Sequence, residues 1–119
     1  LESGSVYDTA RQICASDGSF SENRSSSNSA IRFGNNTLKS SSPRTKINGY
    51  LYFYNLLDST RTSHTTQHSS NFSNSGDFRS FFGSNVLPQT SYVNQIQVMA
   101  FNTGTIDSGI FSLYGIRFA

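Results

Sequence analysis

Charge is scarce in this sequence. Only 13% of its 119 residues are Asp, Glu, Lys or Arg, about half the usual share of a globular protein. Net charge is +2, and the basic residues are scattered; the tightest group, Lys39, Arg44 and Lys46, holds three. That pattern argues for solvated loop charges and against a nucleic-acid footprint. Cysteine is nearly absent too: Cys14 stands alone, so no internal disulfide forms, which argues against a small disulfide-stapled scaffold. No apolar run is long enough to span a membrane, and no secretory leader is expected. The chain starts at Leu1 without an initiator methionine, which suggests a trimmed or longer protein.

Hydrophobic residues reach only 34%, against a usual level of about 45–50%. The polarity comes from uncharged Ser, Asn, Thr and Gln. Chains that stay disordered are polar through charge and poor in aromatics. Here ten Phe and six Tyr bring aromatics to 13%. The composition predicts one folded, aromatic-cored β domain over 1–119 with long Ser/Asn loops, large enough for one core. Three Asn-x-Ser/Thr matches, at Asn23, Asn35 and Asn71, are expected by chance in so Asn- and Ser-rich a chain.

Chemistry-bearing constellations are also few. There are seven carboxylates, Glu2, Asp8, Asp17, Glu22, Asp58, Asp77 and Asp107, and no pair stands out as a glycosidase acid and nucleophile. Asp58, His64 and a serine, or Cys14 with a histidine, lack any motif that would place a nucleophile on a sharp turn with its base in reach. No glycine-rich loop cradles a phosphate. His64 and His68 would share one face of a strand, but no third ligand accompanies them, so no metal site and no cofactor are expected. These readings point away from an enzyme and toward a surface that works by contact.

The densest apolar stretch is 109–119, Gly-Ile-Phe-Ser-Leu-Tyr-Gly-Ile-Arg-Phe-Ala. It predicts a closing strand covered on both faces and tied into a sheet, and the chain is expected to be organised around it. Before it, Tyr92 to Phe101 alternates, with Ile96, Val98 and Ala100 inward; the two are expected to pair as a hairpin. Residues 47–57 form a second strong strand, with Leu51 and Phe53 toward the core and Tyr50, Tyr52 and Tyr54 on the other face. Such a tyrosine ladder suits a subunit interface, a stacking platform, or packing within the domain itself. Residues 6–15 fit a helical stripe or a strand, and the surroundings favour strand. Ala30 to Phe33 is read as a short strand, followed by a turn at Gly34-Asn35-Asn36. Residues 16–29, 37–46 and 71–85 are read as polar loops, 61–70 as an exposed edge strand without apolar anchors, and Leu87-Pro88 as a strand break. The expected architecture is a two-sheet antiparallel β-sandwich or jelly roll.

The ending from Gly109 to Arg117, with Ser112-Leu113-Tyr114-Gly115-Ile116 at its centre, resembles the closing motif of a jelly-roll module in structural proteins of tailed bacteriophages. Tyr7-Asp8-Thr9-Ala10-Arg11 is similar to its opening strand. Ile31 to Asn36 is similar to its Phe-Asn-Gly-Asp turn, Gly49 to Asn55 to its Gly-led middle strand, and Gln95 to Val98 to its penultimate strand. The turn at Gly34 lacks the aspartate, so any polar network it orders is altered here. The resemblance implies a non-catalytic virion component on the particle surface: a capsid-decorating (cement) subunit, a head fibre or a tail-fibre domain, often trimeric, touching other virion proteins such as the major capsid protein. The residues themselves nominate the contacts: Tyr50, Tyr52 and Tyr54 on one face, and Tyr114, Ile116 and Phe118 near the terminus. Host cell-surface glycans are the alternative partner; nucleic acid and membrane are not expected.

Overall fold

A computed structural model describes residues 4–34, 46–73, 75–100, 106 and 108–116. It is all-β. Five strands, β1 (Tyr7–Ala15), β2 (Phe20–Asn28), β3 (Asn48–Tyr54), β4 (Thr62–Phe72) and β5 (Phe78–Thr90), form one sheet in the order β2-β1-β5-β4-β3. Every neighbouring pair is antiparallel, and no helix occurs among the described residues. The ambiguous opening segment is a strand, and so is the tyrosine segment.

Several loop and strand expectations are corrected. The polar stretch 16–29 contains β2, because an edge strand held by backbone pairing to β1 needs no apolar anchor. Gly18, at φ 87°, closes that hairpin by donating its N–H to the Ala15 carbonyl. Residues 62–70 belong to β4, which is interior rather than an edge, lying between β3 and β5. Residues 71–85 hold a turn only at 73 and 75–77; 71–72 end β4 and 78–85 belong to β5, the longest strand, which supplies the best-buried side chain, Phe81. Pro88 does not end β5. The register with β4 slips between Thr62 and Ser63, opposite Thr90 and Leu87, so Pro88 sits in a bulge where its missing N–H breaks no ladder bond.

Ala30 to Phe33 is not a strand. After β2 the chain crosses the sheet toward β3. Arg11 Nη1 donates to the carbonyls of Arg32 (3.3 Å) and Gly34 (2.8 Å), and Gln67 Nε2 to that of Arg32 (3.2 Å). Asn35 and Asn36 of the expected turn, and residues 37–45 of the following loop, lie outside the described residues.

The largest correction concerns the end of the chain. Residues 92–100 and 109–116 are irregular and pair with no strand among the described residues, so the expected closing hairpin and second sheet are not formed there. Ile96 and Val98 are exposed instead of inward. The molecule is organised around the β4–β5 pair rather than around its last stretch.

One face of the sheet lies under the crossing segment. The register places Thr9, Arg11, Asn23, Leu51, Phe53, Ser63, Thr65, Gln67, Ser69, Asn71, Phe81, Asn85 and Leu87 on this covered side. Among the described buried residues, only Phe81 (no exposed surface) and Leu87 are apolar. The rest of that buried set is polar; Thr9, Thr65, Gln67 and Asn85 are tied together across strands, whereas the Ser69 and Asn71 side chains are buried without a hydrogen-bond partner. Asn85 accepts from Thr9 Oγ1 at 2.9 Å and donates to Thr65 Oγ1 at 3.0 Å and Gln67 Oε1 at 3.3 Å. A buried amide that satisfies three strands at once specifies register as well as stability. Beside it, Gly83 lets β1 and β5 approach: a Cβ there would collide with the Ala10 carbonyl and the Arg11 backbone. The Arg11 guanidinium lies 5.6 Å from the Phe81 ring centroid, a cation–π contact. Burial, and secondarily the nearby Arg32 charge, pull its pKa below the ordinary arginine value.

Candidate functional site

The opposite face is open. Alternation along β3 sends Tyr50, Tyr52 and Tyr54 there, and the register sets them beside His68, Thr66 and His64 of β4. His68 in turn lies opposite Phe82 of β5, and Ser70 opposite Ser80. The aromatic rows meet edge-on. Tyr50 and Tyr52 have centroids 5.3 Å apart, Tyr50 and His68 5.8 Å, and His68 and Phe82 6.4 Å, with interplanar angles of 65°, 87° and 83°. Edge-to-face packing is the arrangement that ring quadrupoles favour. His68 Nε2 meets Ser80 Oγ at 3.1 Å, and the Tyr54 hydroxyl meets Thr66 Oγ1 at 3.5 Å. The result is a shallow concavity of about 600 Å³, walled by the three tyrosines, His68 and Phe82 and containing Thr66 and Ser80. Among the described residues, no carboxylate, lysine or arginine lines it. The tyrosines remain 53%, 48% and 48% exposed.

The structure therefore brings together three of the six residues singled out in the sequence. Tyr114 and Ile116 lie apart from them, in the irregular segment 108–116, where they are 84% and 72% exposed. Phe118 lies outside the described residues. Sequence reasoning missed His68, Phe82, Ser80 and Thr66 as neighbours of the tyrosines. The shared face of His64 and His68 was readable from their even spacing; the pairing that carries them next to Tyr50 and Tyr54 was not.

The residues considered for catalysis have other partners. Asp58 Oδ1 accepts from the Thr60 N–H (2.8 Å) and Oγ1 (2.6 Å), while its Oδ2 faces Arg61 Nε at 3.4 Å. The Thr60 bonds, side chain first and backbone next, hold the Asp58 carboxyl below its ordinary pKa. His64 Nε2 meets Thr62 Oγ1 at 2.8 Å. Cys14 is half-buried on β1, opposite Phe20 and Ser80. Among the described residues, no three His, Cys, Asp or Glu side chains gather as a metal site.

Fold and site together define an all-β chain with a polar, covered sheet face and an open aromatic one. No family model, curated protein or solved structure matches it.

Proposed function

We propose that this chain is a non-enzymatic structural module of a tailed-bacteriophage particle, a capsid-decorating or fibre subunit that works by protein–protein contact as a trimer. The observation that carries the contact reading is the surface of 108–116. Ile110, Phe111, Leu113, Tyr114 and Ile116 are between 66% and 95% exposed within nine uncharged residues. So dense an apolar cluster, left in water, marks an interaction surface. It is also the stretch whose sequence resembles the closing strand of phage jelly-roll modules, which supports the virion assignment. In this reading 92–100 and 109–116 take up strand pairing when subunits meet, and the two-sheet sandwich is completed in the assembly.

Light scattering after size exclusion, over a range of concentrations, tests the proposal. A mass near three times 13.1 kDa supports it, and Leu113→Ser should lower that mass while leaving the sheet's circular dichroism unchanged. A 13.1 kDa species at every concentration would remove the assembly reading.

A further inference from the structure

The aromatic face is a second, separate surface, and its chemistry differs from that of the apolar segment. We propose that the concavity on β3, β4 and β5 binds a neutral carbohydrate chain. The wall is mainly aromatic, and the apolar C–H faces of a pyranose ring pack well on exposed tyrosine rings. Tyr50 and Tyr54 are four strand residues apart, about 13 Å, so the row suits linked rings rather than one. Sugar hydroxyls need partners, and Thr66, Ser80 and His68 stand among the rings to supply them. His68 is held in place by Tyr50, Phe82 and Ser80, so it is a fixed wall.

Among the described residues no charged side chain lines the concavity, which narrows the occupant. An acidic sugar would be desolvated here without a counter-charge. A nucleic-acid strand also stacks on aromatic rows, but needs a basic groove along its backbone. The neutral, hydroxyl-bearing ring remains the ligand that both the rings and the polar groups fit. This inference is independent of the assembly proposal, since no residue of 108–116 lines the concavity.

The test is a ¹H–¹⁵N titration of the full chain with maltotetraose, cellotetraose and chitotetraose, with a galacturonate tetramer as the charged comparator. The proposal expects at least one neutral tetramer to shift the amides of Tyr52, Gln67, His68 and Phe82 saturably at millimolar concentration. Tyr52→Ala should weaken that binding about tenfold or more, while Tyr52→Phe, which keeps the ring, should weaken it only modestly. His68→Ala should weaken it as well, and Leu113→Ser should leave it unchanged. The half-exposed position of Tyr52 lets the alanine variant keep the fold, which its own spectrum verifies. The proposal is overturned if no neutral tetramer gives saturable shifts, if the galacturonate tetramer alone binds, or if Tyr52→Ala binds as well as the parent. A monomer by light scattering would remove the trimer without touching this outcome.

Discussion

The two faces of the sheet invert the usual arrangement. The covered face is built largely from Ser, Thr, Asn and Gln, with Arg11 and Arg79, and the open face carries the tyrosines, His68 and Phe82, with Asp8, Glu22 and Arg24 toward its β1–β2 side. On the covered side a network centred on Asn85 joins polar groups of three strands, while Arg11 Nε, Ser69 Oγ and the Asn71 side-chain amide are buried without a hydrogen-bond partner. Asn85 alone links β1, β4 and β5 through Thr9, Thr65 and Gln67. On the open side the rings touch one another yet keep about half of their surface exposed, and they carry hydroxyls that tolerate water. The difference assigns the faces different work: one holds the fold, and the other is available for binding.

The comparison breaks most sharply at Phe81. Phe81→Ala removes the buried ring and the platform under Arg11, and should cost about 3–5 kcal/mol, read as a lower urea midpoint. An open-face change such as Phe82→Ala, on the adjacent residue of the same strand, should cost far less. Equal losses would mean that the two faces are not distinct.

Asn85→Ala comes next. It leaves Thr9, Thr65 and Gln67 each short of a partner in a buried site, at a cost of about 2–3 kcal/mol. A change within a few tenths of a kcal/mol would show that the polar side is not held by this network.

Leu113→Ser should leave the urea midpoint of the subunit nearly unchanged, because Leu113 is 81% exposed, and should act only on assembly. The smallest effect concerns the β3–β4 turn. Hydrogen bonding lowers the Asp58 pKa in the folded chain, so its contribution is present above the ordinary carboxylate value. It is lost as pH falls through the lower, folded value. Amide protection at Thr60 should decline over that acid range, and Asp58→Asn should remove the pH dependence while the centre of the sheet stays protected.

Much of the open face was legible in the sequence, and little of the covered one was. The alternation of Tyr50, Leu51, Tyr52, Phe53 and Tyr54 announced both the strand and its tyrosine side. β4 and β2 were harder, because period-two reasoning looks for apolar residues on the inward side. In β4 that side reads Ser63, Thr65, Gln67, Ser69 and Asn71, so an interior strand looks like an exposed edge. β5 was hidden by Pro88, which reads as a breaker but is accommodated by a bulge. The opposite error arose at the end of the chain. Ile96, Val98, Ile110 and Leu113 have strand-like patterning, but pattern alone does not say whether the partner strand lies in the same sheet. His68 and Phe82 beside Tyr50 depend on the registers of two ladders, which no local pattern encodes.

The most direct test of the central claim is amide hydrogen exchange across 109–116, followed from dilute to concentrated protein. The account predicts that the amides of Ile110 to Ile116 exchange freely when dilute and gain protection with increasing concentration, in step with the rise in mass toward the trimer. Free exchange at every concentration, while the mass rises, would place the contact elsewhere and contradict the assignment of this segment as the assembly surface.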